Sequence, residues 1–192
     1  LVANWPEATG TGYACYMIRL TKGTLNIVNT RPATGGEINN KTEANASYKN
    51  TKSKEIVCIG VEGYKEPGTS KEDQYSVLNI SSEVTVTTQG KVGVIINAYN
   101  YNSGDLWNGC RGSFGAVVTV AGKVHGEKYG MQVSGNVNAG LAVLKGKGVE
   151  NAENFNYPII NIESTADVSA NPTVMENGNG LYCGGYAVVN IK

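Results

Sequence analysis

Histidine is almost absent from this 192-residue chain, which has a single one, His125. A histidine-rich metal site is therefore excluded, and a Ser-His-Asp triad would have to use that residue. The surrounding AGKVHGEKYG predicts a hairpin turn with His125 exposed. The motifs of zinc proteases, α/β-hydrolases, P-loop proteins and dinucleotide-binding proteins are also missing. We therefore expect no enzyme, no metal and no cofactor.

Long apolar runs and an excess of charge of either sign are missing too. No stretch of 18 apolar residues occurs, so we expect no membrane insertion. The 16 Lys and Arg residues balance the 16 Asp and Glu residues without a dense basic cluster, which argues against a nucleic-acid partner. The chain opens at LVANWPEATG, as expected of a processed chain or of a domain cut from a longer surface protein.

The cysteines do not form close pairs. The chain has four of them, Cys15, Cys58, Cys110 and Cys183. Metal sites and redox dithiols usually need close pairs, so the spacing predicts two structural disulfides and export through an oxidising compartment. Three pairings are possible. Cys15 with Cys58 and Cys110 with Cys183 is preferred, because each bond then closes a loop within one half of the chain.

Period-two alternation of apolar and polar residues is what the chain does have. It is clear in KVGVIINAY, FGAVVTV and LYCGGYAVVNI, and similar segments bring the prediction to about eleven short strands without a helix. Many short strands separated by Gly, Asn and Ser predict one all-β domain over residues 1–192, an antiparallel β-sandwich of the immunoglobulin-like or jelly-roll-like type. No internal repeat is predicted.

Polar segments between these strands are predicted loops. The longest, TRPATGGEINNKTEANASYKNTKS, exceeds the usual loop length, so it is predicted to be functional, to be mobile or to hide an edge strand. ADVSANPTVMENGNG is another. Loops held on a rigid sandwich are the usual location of binding residues.

The segment AYNYNSGDLWNGCRG, residues 98–112, contains the predicted binding site. Aromatic rings stack on the apolar face of a sugar, while amides and carboxylates bond to its hydroxyls. The segment supplies both kinds of group, in Tyr99, Tyr101, Asn102, Asp105, Trp107 and Asn108. Alternatively, Trp107 is a core residue beside Cys110 and the polar residues form a tight turn. The spacing of NYNSGD is also similar to that of a calcium loop, although Asp105 is its one charged ligand.

A glycosidase remains an alternative, because it needs only two facing carboxylates. The candidates are Asp105, Glu127 and Glu163.

Several segments carry a likeness to a known family. They are an early cysteine in GYACYMIRL, a second cysteine in KEIVCIGVEGY, a texture rich in Thr, Asn and Gly, and an alternating last strand, GGYAVVNIK. In these features the chain resembles bacterial fimbrial subunits of the chaperone-usher type, especially the lectin domains of tip adhesins. Cys110 and Cys183 are additional to the common pattern, and the last strand lacks the usual tyrosine next to its end.

The resemblance implies an extracellular or cell-surface adhesive domain that binds host glycans through loops at one end of the sandwich. The expected partner is a carbohydrate or a cell-surface glycoconjugate. The alternative is a structural subunit of a surface fibre, which would bind neighbouring subunits by strand exchange.

Overall fold

The computed structural model describes an all-β chain, which confirms the predicted structural class. The description covers residues 2–3, 15–20, 23–30, 36–40, 56–63, 76–88, 92–98, 116–133, 158–170, 178–183 and 187–192, and these ranges contain no helix. The strands within them are β1 (Val2–Ala3), β2 (Cys15–Leu20), β3 (Gly23–Ile27), β4 (Gly36–Asn40), β5 (Ile56–Gly63), β6 (Ser76–Ile80), β7 (Val84–Thr88), β8 (Val92–Ala98), β9 (Ala116–Val120), β10 (Lys123–Gly126), β11 (Tyr129–Val133), β12 (Ile159–Ile162), β13 (Asp167–Ala170), β14 (Asn179–Cys183) and β15 (Val188–Ile191).

The strands form three five-stranded sheets, and each strand pairs with the strand three positions later in the chain. Sheet A has the order β1-β4-β7-β10-β13, sheet B β2-β5-β8-β11-β14 and sheet C β3-β6-β9-β12-β15. Every pairing is parallel. Three successive strands therefore make one coil with one strand in each sheet, and five coils stack into a three-sided parallel β-solenoid.

The predicted antiparallel sandwich is wrong. Alternation in a sequence reports which face of a strand is buried, but not the direction of its neighbour. The hairpin predicted around His125 is wrong for the same reason, because β10 and β11 belong to different sheets and the chain turns a corner between them. The segment LYCGGYAVVNI likewise contributes two strands, β14 and β15, to different sheets. The long polar segment after residue 30 contains β4, which lies inside sheet A and not at its edge.

The coils repeat in sequence at irregular intervals. The strands of sheet C contain TLNI, VLNI, VVTV, IINI and VVNI, beginning at residues 24, 77, 117, 159 and 188. The stacked residues Asn26 and Asn79 are 53 positions apart, whereas Asn161 and Asn190 are 29 positions apart. The repeat therefore has no fixed period, because the stretches of chain between successive strands differ in length.

The core lies inside the solenoid, where the apolar residues of this motif stack in columns. Leu78 and Ile80 in coil 2 and Val118 and Val120 in coil 3 are at most 2% exposed. Burying such a side chain stabilises the fold by roughly 1.5–3 kcal/mol. The equivalent residues of coils 1 and 5 are only partly buried or exposed.

A column of small residues lets sheet B approach the backbone of sheet A. A Cβ atom on Gly130 would lie 2.8 Å from the carbonyl oxygens of Gly180, Ser169 and Val124. Gly93 and Gly180 hold the same position in the adjacent coils and are similarly crowded by backbone oxygens. These positions have no room for a side chain.

The two predicted disulfides are also wrong. Cys15 is in register with Ile56, so Cys58 lies two residues further along the neighbouring strand. That offset corresponds to a Cα separation of about 8 Å, whereas a disulfide needs at most about 6.8 Å. Cys58 is instead a buried thiol that donates to the carbonyl oxygen of Ile38 over 3.7 Å. Cys183 is an exposed thiol, and Cys110 lies outside the described residues.

Candidate functional site

The predicted binding residues lie outside the described part of the chain. Tyr99, Tyr101, Asn102, Asp105, Trp107 and Asn108 all follow the end of β8 at Ala98. The predicted site in residues 98–112 therefore stays a prediction. The described residues form three outer faces of their own, one on each sheet.

The outer face of sheet B is mostly covered. Val57, Val92, Ile95 and Tyr129 form a buried cluster that is separate from the main core. Ile95 alternates with Val94 and Ile96 of the main core, so this second cluster lies on the opposite face of the sheet. Burial on both faces leaves little of this sheet available to a ligand.

Coil 5 presents an exposed tyrosine on this sheet. Tyr182 is 43% exposed and stacks on Tyr129 with the ring centroids 4.9 Å apart and the planes 16° apart. Lys128 Nζ lies 5.2 Å from the centroid of the Tyr129 ring. The aromatic pair therefore joins coils 4 and 5 on the outer face of sheet B.

The outer face of sheet C is uncharged over all five coils. One row of it consists of Thr24, Val77, Val117, Ile159 and Val188, and the other of Asn26, Asn79, Thr119, Asn161 and Asn190. In the second row the side chains bond to one another along the solenoid. Asn161 Nδ2 donates to Thr119 Oγ1 at 3.3 Å, and Asn190 Nδ2 donates to Asn161 Oδ1 at 2.9 Å. These amides are therefore engaged with each other.

The outer face of sheet A combines exposure with charge. One row across coils 2–5 consists of Glu37, Thr85, Lys123 and Asp167. The adjacent row contains Thr87, His125 and Ser169. Inward-facing residues such as Val86 and Val124 alternate with them and are fully buried. The same strands that anchor this sheet in the core therefore hold a line of hydroxyl and charged groups on its surface.

A hydrogen-bonded pair of titratable side chains, His125 and Asp167, joins coils 4 and 5 on this face. His125 Nε2 and Asp167 Oδ2 are 3.1 Å apart, and the two side chains are 30% and 50% exposed. Asp167 is in register with Lys123, and His125 is in register with Ser169. An imidazole, an ammonium group and a hydroxyl thus surround one carboxylate.

These neighbours keep Asp167 ionised. Desolvation is the largest influence and raises the pKa of the carboxyl group, but hydrogen bonds from His125 and Ser169 lower it. The positive charges of His125 and Lys123 lower it further, so that the pKa lies below its usual value. Asp167 is therefore an acceptor of hydrogen bonds over the whole neutral pH range.

The arrangement does not match the two catalytic geometries considered from the sequence. In a Ser-His-Asp triad the histidine accepts the proton of the serine, whereas here Asp167 receives both His125 and Ser169. The carboxylates of Glu37 and Asp167 belong to coils three steps apart, a separation of about 14 Å. Glycosidases hold their two carboxylates about 5–9.5 Å apart.

None of the three carboxylates that the sequence suggested for a glycosidase is among the described residues of this face. Glu163 follows β12 at the end of sheet C and is paired with Lys192, whose Nζ lies 3.0 Å from its Oε1. Glu127 lies in the corner between β10 and β11. Asp105 lies outside the described residues.

Sequence reasoning missed the face because it assigned His125 and Asp167 to turns. The signal was a polar-apolar-polar triplet that recurs as EIN, TVT, KVH and DVS, beginning at residues 37, 85, 123 and 167. One apolar residue in each triplet is too short a pattern to reveal a strand alone. Alignment of the four triplets would have revealed both the strands and the row of polar groups.

The remaining findings are negative. No protein-family model matches the chain, and no curated protein or solved structure is significantly similar to it. Within the described ranges, no helix is long and apolar enough to cross a membrane. The same part of the chain holds no group of three or more His, Cys, Asp or Glu residues placed to bind a metal ion.

Proposed function

We propose that this protein is an extracellular adhesive β-solenoid that binds glycans along the outer face of sheet A. The observation that carries the proposal is the exposed Asp167–His125 pair within a line of hydroxyl and charged side chains over four coils. Sugar hydroxyls both donate and accept hydrogen bonds, so they need acceptors and donors together. Of the three outer faces described, that of sheet B is mostly buried and the amides of sheet C bond to one another, whereas sheet A offers exposed acceptors and donors.

The ligand would be an extended glycan that lies parallel to the solenoid axis. Adjacent coils are about 4.8 Å apart, which is close to the length of one pyranose unit. Successive sugars would then meet successive strands. The ionised carboxylate of Asp167 would accept from sugar hydroxyls, and Lys123 and Ser169 would donate to their oxygens.

Charge supports a neutral glycan over an acidic one. The described face carries the carboxylates of Glu37 and Asp167 against the ammonium group of Lys123, so it has no excess of positive charge that would attract a polyanion. Hydrogen bonds to hydroxyls lose part of their energy to desolvation, so a single site would bind with a Kd on the order of mM to μM. Adhesion would depend on several copies.

The extracellular location rests on the resemblance to fimbrial subunits. The thiols of Cys58 and Cys183 remove the argument from disulfides. The mode of binding also differs from the one expected of a sandwich, because the proposed contacts come from strands and not from loops at one end.

A glycan-array screen of the purified chain tests the proposal. We expect selective binding to neutral glycans that falls at least tenfold in Asp167→Asn, because the amide keeps the shape but loses the charged acceptor. Glu83→Gln is the matched control, since it makes the same chemical change in the exposed turn before β7, outside the strands of sheet A. Thermal unfolding should show that both variants are folded.

Two outcomes would contradict the proposal. One is an array on which the folded protein binds no glycan. The other is binding that survives Asp167→Asn and is abolished by Asp105→Ala, which would locate the site in residues 98–112.

A further inference from the structure

The exposed apolar side chains of this solenoid are concentrated at its two ends. The described large hydrophobic residues with high exposure are Val28 at 62%, Tyr182 at 43%, Val188 at 46% and Ile191 at 76%. Val28 follows the last strand of coil 1, and the other three belong to coil 5. Coils 2–4 contribute none to this set. Exposed apolar surface of this kind marks sites of association.

The two ends have matching cross-sections in sheet C. The first strand of this sheet contains TLNI and the last contains VVNI, which are versions of the motif that already stacks four times within the molecule. A second copy placed on coil 5 would bring Thr24 onto Val188 and Ile27 onto Ile191. The contact would repeat the packing between adjacent coils.

The backbone groups at the two edges are also complementary. The Ile27 carbonyl oxygen accepts from Ser81 N, and the Ile162 carbonyl oxygen accepts from Lys192 N, both at 3.0 Å. In a parallel ladder, two successive residues of one strand point their N–H and C=O groups to opposite sides of that strand. Val28 N–H and the Ile191 carbonyl oxygen therefore face the two free edges of sheet C. Stacking would join them as the same positions are joined between coils 1 and 2 and between coils 4 and 5.

The side-chain ladder on sheet C has a direction that favours the same arrangement. Asn79 Nδ2 donates to Asn26 Oδ1 at 2.8 Å, and Asn190 Nδ2 donates to Asn161 Oδ1. Each amide thus donates toward coil 1. The ladder ends with the amide group of Asn26 at one end and the carbonyl oxygen of Asn190 at the other, so a second copy would extend it.

In sheet B, the same stacking would add a contact between a cation and an aromatic ring. Tyr182 closes the outer row in which Gln132, Ile95, Gly60 and Arg19 are stacked in register. A second copy in the next position would bring its Arg19 against the exposed ring of Tyr182. Arginine over a tyrosine face is a favourable cation–π contact of about 0.5–2 kcal/mol.

From these observations we infer that copies of this chain stack head to tail, coil 1 of one on coil 5 of the next, into a continuous β-solenoid fibre. The interface is heterologous, so the assembly stays open at both ends and grows. No strand has to leave its own subunit, which distinguishes this mode from strand exchange. The inference is independent of glycan binding, although a fibre would align many sheet A faces for avidity.

Sedimentation velocity and electron microscopy of the 192-residue chain test the inference. We expect oligomers that lengthen with protein concentration, with one subunit about every 24 Å along the fibre, as five coils of about 4.8 Å require. Val28→Pro removes the N–H at one edge, and Ile191→Lys puts a charge at the other. Each variant alone should be monomeric, and Ser82→Lys, in the turn between coils 2 and 3, should assemble like the parent.

A mixture of the two end variants gives the sharpest result. Each retains the end that the other has lost, so together they should form a 1:1 dimer and no fibre. A parent protein that stays monomeric at millimolar concentration would overturn the inference. So would assembly blocked by one end variant and not by the other, because that result indicates a two-fold contact between like ends. Circular dichroism checks that each variant is folded, and Ile191→Ser replaces Ile191→Lys if it is not.

Discussion

Two glycines of this protein are required for different physical reasons. Gly130 has no space for a Cβ atom, since three carbonyl oxygens lie 2.8 Å from where it would be. Gly23 has open space around it but a φ of +92°, which favours glycine. One position is restricted by packing and the other by backbone conformation.

Substitution by Ala and by Asn separates these two restrictions. At position 130 we expect Ala to lower the free energy of unfolding by about 1–3 kcal/mol and Asn to lower it further, because the larger side chain meets the same oxygens. At position 23 we expect the reverse order, because Asn tolerates positive φ better than Ala. Urea unfolding of the four variants gives the comparison. If Ala and Asn lowered the free energy of unfolding equally at each position, the close approach of the carbonyl oxygens to Gly130 would be contradicted.

The carboxylate of Asp167 predicts a pH dependence of stability. Its pKa is lowered in the folded protein, so its contribution is present above the pKa of the unfolded chain, about 3.9, and is lost as the pH falls through the folded value. The group is half exposed, so the contribution is below about 1 kcal/mol.

This pH dependence is measured by urea unfolding between pH 2 and pH 7. The difference in unfolding free energy between the parent and Asp167→Asn should be present at neutral pH and should shrink as the pH falls below about 3.9. His125→Gln should weaken the dependence, because it removes a hydrogen bond and a positive charge. An undiminished dependence in His125→Gln would mean that His125 is not among its causes.

At the scale of the elements, the ladder on sheet C couples coils that are far apart in sequence. Asn161 donates to Thr119 of coil 3 and accepts from Asn190 of coil 5. Replacing Asn161 with Ala should cost about 1 kcal/mol, as expected for partly exposed hydrogen bonds. In a double-mutant cycle, Asn161→Ala and Asn190→Ala should therefore be non-additive. Additive effects would mean that the hydrogen bond between them contributes no stability.

The strands of the three sheets were not equally predictable from sequence. Sheet C strands have two or more inward-facing apolar residues each, so period-two alternation revealed them. Sheet A strands β4, β10 and β13 have few such residues and sit in polar surroundings, so their segments were predicted to be loops or a turn. The polar residues that obscured the alternation in these three strands are those of the candidate binding face.

At the scale of the whole molecule, the direction of the strands was the main failure of sequence reasoning. Parallel sheets are usually covered on both faces, so alternating strands suggest an antiparallel sheet. In a solenoid the outer faces of sheets A and C meet solvent, and their strands alternate although they are parallel. Sheet B has the burial that is usual for a parallel sheet, because β11 and the described side chains of β8 are buried on both faces.

The candidate site followed from the topology and not from any motif. Stacking brings His125 and Asp167 together across 42 positions of sequence, because β10 and β13 are neighbouring strands of sheet A. Sequence reasoning selected residues 98–112 because aromatic and amide groups are concentrated there. Groups that converge only through a long-range register leave no such local concentration.

Hydrogen–deuterium exchange in the presence of a saturating oligosaccharide tests the central claim most directly. If the glycan lies on sheet A, exchange should slow in peptides that contain β10 and β13 and stay unchanged in those from residues 98–112. Protection confined to residues 98–112, with none in β10 or β13, would contradict the claim that sheet A is the binding face.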